Sequence, residues 1–308
     1  MLKGKFAHLS SFNQILFSLS LVVGSTFILL FVGSLLCYFF FGVNILIDNA
    51  ALDINAETAN LAALKFYQAI YSIGMFVIPP FIIAWCLSSN VRKYLRIDRS
   101  ARSSIYLQAS FLILFSLPFI NMMGELNSQI HFPEFLKGVE EWMRQSEEHA
   151  TLVTQKFLKM DGLGDLLTNL FLIAVIPALG EELLFRGVLQ KQLSRWTGSV
   201  HWGIFISAAL FSALHMQFFG FIPRLFLGMV FGYLLVWTGS LWIPIVAHLV
   251  NNGLAVTASY FTNKGQLPEH AENIGSSDMM WGSSLISLLL FSILLYQLFR
   301  NRERQVEC

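Results

Sequence analysis

Apolar residues fill long stretches of this chain, and polar residues collect between them. Runs of roughly 18 or more residues, the length that crosses a bilayer core as helix, cover 12–42, 64–87, 104–124, 163–190, 200–219, 221–238, 241–261 and 282–299. The pattern predicts an all-α, polytopic membrane helical bundle with about eight transmembrane helices. The first run is too long for a signal peptide and lacks a small-residue cleavage site, so it reads as a retained helix. Pro79-Pro80 is expected to kink the second run. Thr197-Gly198-Ser199 and Thr238-Gly239-Ser240 mark chain reversals. Gly228 and Gly232 form a small-residue pair on one helix face and predict close helix packing. The polar stretch 125–162 behaves differently. Phe135, Leu136, Val139, Trp142 and Met143 recur at helical spacing, with Glu140 and Arg144 one turn apart, as in an amphipathic helix lying on the outer membrane surface.

Composition strengthens this picture. Of 308 residues, 55% are hydrophobic and 13% charged, against about 25% charged in a typical soluble domain. Mean hydropathy is +0.61. A water-soluble protein of this size could not hide so much apolar surface. The net charge of +1 gives no reason to expect nucleic-acid binding. Cys37, Cys86 and Cys308 are scattered, with no disulfide or metal spacing. Lys and Arg set the orientation. With the N-terminus inside, 13 of the 20 fall in inner segments, five of them in 88–103, and 7 in outer ones. Both termini are therefore expected in the cytoplasm. Three regions follow: 1–162, three membrane helices and the outer amphipathic segment; 163–261, the polar-bearing membrane core; and 262–308, the last transmembrane helix and cytoplasmic tail.

The shortage of charge makes its exceptions informative. Ionisable groups inside an apolar span are costly and usually functional. Of the 19 acidic residues, only Glu181 and Glu182 lie well inside one. Being adjacent, they point about 100° apart on a helix and cannot share one task. Glu182 and Arg186 are four apart, in the order that favours an ion pair. Glu181 is then left to face a cavity as a carboxylate base. His215 and His248 also lie within spans, and Asn252 shares a helix face with His248. From the reversal at 197–199, Glu181 and His215 are each about seventeen residues away. At ~1.5 Å per residue, that places both at one depth of an antiparallel hairpin. A lone buried histidine is usually a packed, hydrogen-bonded residue, and a lone Glu–Arg pair is often structural. Here the whole set falls on three late spans, with nothing comparable earlier. Asn251 reads as a packing amide, and Asn169, His201 and Asp165 as interfacial residues near span ends.

Glu-Glu-x-x-x-Arg at 181–186, Phe-x-x-x-His at 211–215 and His-x-x-x-Asn at 248–252 resemble the three signature motifs of the CPBP family, the CAAX proteases and bacteriocin-processing enzymes also called Abi. Gly180, Leu183, Phe185, Gly187 and Gly239-Ser240-Leu241-Trp242 add to the likeness, which covers roughly 163–260. The resemblance implies an intramembrane glutamate-dependent endopeptidase of the type II CAAX prenyl protease kind. By it, Glu181 with His215 activates water, His248 and Asn252 stabilise the oxyanion, and Glu182, Arg186 and Phe211 support them. This matches what hydrolysis needs: a base, oxyanion donors and a walled cavity.

Two other readings use the same residues. Glu181, His215 and His248 could instead bind zinc with an open position, although they lack a local His-Glu-x-x-His pair. The preferred reading needs no cofactor. The cluster could also serve a non-enzymatic membrane immunity, scaffold or transport protein. The expected partners are a peptide or membrane-protein substrate, lipidated or not, and the lipid bilayer. A bacterial inner membrane is the expected location.

Overall fold

The computed structural model describes residues 3–45, 47, 60–268 and 281–306, the last with side chains to 301. Nine longer helices carry the described chain, and no strand occurs in it. They are α1 (Ser11–Phe41), α2 (Leu61–Leu87), α3 (Ser103–Ser128), α4 (Lys137–Leu158), α5 (Leu163–Thr197), α6 (Val200–Ala213), α7 (Phe221–Thr238), α8 (Trp242–Asn263) and α9 (Trp281–Val306). The bundle packs around two adjoining cores. In one, Leu183–Leu189 of α5 meets Ile83 and Leu87 of α2, the turn bearing Tyr94 and Leu95, and Leu241 and Ile245 of α8. In the other, α3, α7, α8 and α9 meet through Leu112, Leu234, Ile243 and Phe291.

Among the described residues, six helices are long and apolar enough to cross a membrane: α1, α2, α3, α5, the stretch Phe218–Thr238 containing α7, and the Trp281–Asn301 part of α9. Their outer faces carry large exposed apolar side chains such as Phe27, Phe31, Phe39, Leu107 and Leu289, as lipid contact requires. The chain is a multi-pass integral membrane protein.

Two of the eight expected spans are not among these six. The fifth, 200–219, is helical only over Val200–Ala213. Its 14 residues reach ~21 Å, short of a ~30 Å hydrocarbon core. The chain leaves the helix at Leu214, and Met216 takes a left-handed φ of 53°. His215 therefore sits in a turn, not in a span. The seventh, α8, is long enough, but His248, Asn251 and Asn252 interrupt its apolar run.

Both predicted Thr-Gly-Ser reversals form. Gly198 and Gly239 each cap a helix at φ 68°, a conformation that costs glycine little. The small-residue pair on α7 also packs closely. A Cβ on Gly228 would stand 2.9 Å from the Ala208 Cβ, and one on Gly232 would stand 2.8 Å from Ile204 Cγ2.

Two spans depart from regular α-helix. α2 contains a π segment, Ile73–Val77, just before Pro79-Pro80. α5 contains two, Leu170–Val175 and Glu182–Leu189. Such widened turns recur at functional sites, and the second begins at the paired glutamates.

Candidate active site

The site is built around a buried charge. Arg186 is 2% exposed and Glu182 fully buried. Arg186 Nη1 donates to Glu182 Oε1 at 2.9 Å. Its Nη2 donates to the Gly228 carbonyl at 3.0 Å, which is reachable because no Cβ stands between α5 and α7. One turn on, Gln190 Nε2 donates to the Gly232 carbonyl at 3.2 Å, so two successive amide or guanidinium groups of α5 bond two successive glycine carbonyls of α7. The guanidinium also lies over the Phe211 and Phe231 rings, 4.7 and 5.5 Å from their centroids. A buried charge is tolerable only when paired and hydrogen-bonded; here Glu182 Oε1 carries the bonds, and Glu182 Oε2 is buried with no partner among the described residues.

His248, 66 residues away on α8, completes the group. Its Nδ1 lies 3.0 Å from Glu182 Oε1. An ionised carboxylate only accepts, so Nδ1 carries the proton. The opposite nitrogen, Nε2, then faces Glu181 Oε2 at 3.8 Å, beyond hydrogen-bond length. The imidazole is held flat against Phe231, with centroids 5.1 Å apart and planes 20° apart. Glu181 Oε2 is buried and, among the described residues, has no hydrogen-bond partner. The adjacent glutamates thus divide as their spacing predicted: Glu182 is locked to Arg186 and His248, and Glu181 is left open.

Phe211 joins the two histidines. Its ring packs edge-on against His215 at 4.9 Å and His248 at 5.9 Å. His215 Nδ1 donates to the Phe211 carbonyl at 2.8 Å. A carbonyl only accepts, so neutral His215 exposes an unprotonated Nε2. No direct bond from His215 to Glu181 occurs among the described residues. Asn252 Nδ2 donates to the Ile173 carbonyl within a π segment of α5 at 3.1 Å, and its Oδ1 accepts from Asn251.

The turn bearing His215 lacks helical hydrogen bonds at the end of an apolar bundle, where backbone groups must find partners. Side chains supply them. Ser212 Oγ donates to Phe221 O, Arg224 Nη1 to Gln217 O and Asn127 Nδ2 to Phe218 O, while Glu147 Oε2 accepts from Phe219 N. Four helices therefore fix the position of His215.

Among the described residues, no three His, Cys, Asp or Glu, Glu181, His215 and His248 included, form a group placed to hold a metal ion.

Residues 164–254 match the family described as Type II CAAX prenyl endopeptidase Rce1-like. The matched stretch contains every motif residue above, from Glu181 to Asn252. Two curated relatives each match part of the chain. The Bacillus subtilis (strain 168) protein named "Uncharacterized protein YpbD" is 28% identical over 111 residues, which is 34% of this chain and 54% of the relative. The Staphylococcus aureus (strain USA300) "Membrane-embedded CAAX protease MroQ" is 35% identical over 92 residues, which is 28% of this chain and 37% of the relative. The matched region thus spans about half of one relative and just over a third of the other. No solved structure matches.

Two residues of or beside the matched stretch are more central than their sequence positions indicated. Asn169, read as interfacial, is fully buried, where its Oδ1 accepts from Lys65 and its Nδ2 donates to Phe157 O of α4. Arg224 lies in the first turn of α7 and clamps Gln217 through both its carbonyl and its side-chain oxygen. A lone Arg inside the apolar stretch 221–238 was the available signal.

Proposed function

We propose that this chain is an intramembrane endopeptidase that hydrolyses peptide bonds in or near the bilayer, with Glu181 as the base. The observation that carries the reading is the open Glu181 oxygen, facing the imidazole of a neighbouring helix inside the Rce1-like stretch. The relative named a membrane-embedded CAAX protease supports the reaction class.

In this reading Glu181 takes a proton from water, and the hydroxide oxygen attacks the peptide carbonyl carbon. His215, oriented by its Nδ1 bond to Phe211, assists the water through Nε2. His248, when its ring carries a proton on Nε2 as well as on Nδ1, and Asn252, through its second Nδ2 hydrogen, donate to the oxygen as it becomes negative, where fixed dipoles in a dry site act most strongly. Collapse of the intermediate breaks the C–N bond, and the proton held by Glu181 passes to the leaving amine. Glu182 and Arg186 fix the His248 ring, and Phe211 spaces the two imidazoles. No metal is required. The chain is placed in a bacterial inner membrane with both termini in the cytoplasm, as the Lys/Arg distribution supports.

The test is cleavage by the purified protein. Glu181→Ala and His215→Ala are expected to lower the rate by about 10²–10⁴, the usual weight of a general acid–base group, with detergent stability near that of the parent. Activity is expected to survive exhaustive chelation. Undiminished cleavage by both variants overturns the reading, and zinc reviving a dead chelated enzyme overturns its metal-free form.

A further inference from the structure

α8 runs from Trp242, bonded to the Ile97 carbonyl, to Asn263, bonded to the end of α4. The segment 88–102 therefore lies at the end of the bundle opposite α4. It joins α2 to α3 and carries Arg92, Lys93, Arg96, Arg99 and Arg102 against one acid, Asp98. α5 brings Lys191 to the same place. Its Nζ stands 3.7 Å from the Tyr94 ring centroid and donates to the Tyr94 carbonyl at 3.3 Å. None of these six cations takes part in an ion pair among the described residues, whose ion pairs all lie elsewhere.

The backbone beneath these charges is clamped and strained. After the short helical turn Val91–Tyr94, the Arg96 amide donates to the Lys93 carbonyl and the Ile97 amide to the Arg92 carbonyl. Arg96 thereby takes a left-handed φ of 56°. Glycine is the usual residue at that place, because a Cβ there is crowded. Arg96 keeps its side chain despite the cost. Three bonds from the turn between α7 and α8 hold the segment down. Leu241 N donates to Arg96 O at 3.0 Å, Trp242 Nε1 to Ile97 O at 3.2 Å and Ser240 Oγ to Arg99 O at 2.6 Å. Arg96 and Arg99, fixed to adjacent donors, are held near each other. Desolvation, and after it the Arg99 charge, push the Arg96 guanidinium below its ordinary value. A strained residue that the surrounding structure over-determines points to a task for its side chain.

The surroundings indicate the ligand. Trp85 near the end of α2, Trp196 near the end of α5, Trp202 in the first turn of α6 and Trp242 at the start of α8 all lie at this end of the bundle, and they are 36–58% exposed. Exposed tryptophans mark the headgroup level of a bilayer, which is the layer of lipid phosphates. We propose that Arg96, Arg99 and Lys191 form a binding site for the phosphate of an anionic phospholipid headgroup. A guanidinium pairs with two phosphate oxygens at once, and Lys191 keeps two N–H donors beyond the one given to Tyr94. A zwitterionic lipid has the same phosphate, but its own cation cancels the attraction. The proposal is independent of the proteolytic reading, and its test involves no turnover.

The full chain in a nonionic detergent is titrated with short-chain phosphatidylglycerol, with phosphatidylcholine of the same chain length and with inorganic phosphate. Binding is read as the rise in thermal midpoint. Phosphatidylglycerol should raise the midpoint and phosphatidylcholine should not. Arg96→Gly removes the charge and relieves the backbone. Its lipid-free midpoint should equal or exceed that of the parent, while its affinity for phosphatidylglycerol falls about fivefold, the weight of one cation near an anionic surface. Arg99→Gln should lose affinity to a similar extent and serves as the second variant should the first not fold. Lys5→Gln, which neutralises an exposed cation outside the segment, should bind as the parent does. A response to phosphatidylglycerol that both arginine substitutions leave unchanged overturns the site, as does an equal response to phosphatidylcholine or an equal loss in Lys5→Gln. A midpoint raised by inorganic phosphate but not by phosphatidylglycerol overturns the lipid assignment.

Discussion

Among individual residues, Arg186 carries the most structural consequence. It holds Glu182, and Glu182 holds His248, so substitution by a neutral side chain leaves a buried carboxylate without its cation. Breaking one partner of a buried pair typically costs ~3–5 kcal/mol. Arg186→Met should therefore lower the unfolding midpoint sharply in a detergent thermal scan. The double variant Arg186→Met/Glu182→Gln should recover part of the loss, because no charge is then stranded. If the single variant melts with the parent, the pair has no structural role. This ion pair was legible in the sequence because residues four apart share a helix face. The His248–Glu182 bond was not, since no periodicity relates two helices 66 positions apart. The bonds of Arg224 and Asn169 were not legible either, because both sit near span ends, where polar residues ordinarily face water or headgroups. What distinguishes them is their partners, Gln217 and Lys65, which only the packed structure brings within reach.

Among the elements, the helix spans with strong apolar runs were legible, and the interruptions were not. The widened turns at Leu170–Val175 and Glu182–Leu189 have no compositional signature, and the break after Ala213 lies inside a run that stays apolar. α4 was foreseen as an amphipathic helix, and its exposed Val139, Trp142 and Leu152 fit that reading. Its attachment to the His215 turn was not foreseen. That attachment begins at Glu140, whose carboxylate accepts from Phe132 N, Arg144 and His131. These bonds, the Phe132 amide foremost, hold its pKa down from 4.5 to about 2. A lowered carboxylate pKa means the ionised form is favoured by folding. The stabilisation is full above pH 4.5 and drains away as pH falls toward 2. Hydrogen exchange across 131–144 should thus be slow at pH 6 and accelerate, after correction for intrinsic rates, near pH 3. Glu140→Gln should show fast exchange already at pH 6. Protection unchanged by the substitution would remove Glu140 from this role.

For the whole molecule, lipid covers an exterior rich in Phe and Leu, and the few buried charges gather in one region of the bundle. The composition alone carried that contrast: two acidic residues inside the apolar runs, and seventeen outside. Orientation belongs to the same scale. Single cysteines at Ser89 and Gln145, introduced into a chain stripped of its native thiols, should react with an impermeant maleimide from opposite faces of the membrane, Ser89 from the cytoplasm. Labelling of both from one face would contradict the charge-based topology. The central claim is that Glu181 makes this bundle a protease, and quantitative peptidomics of membranes carrying either the parent chain or Glu181→Ala, at matched abundance, tests it most directly. The account predicts a set of peptide termini present with the parent and lost with the variant. Identical peptide profiles from the two membranes would contradict it.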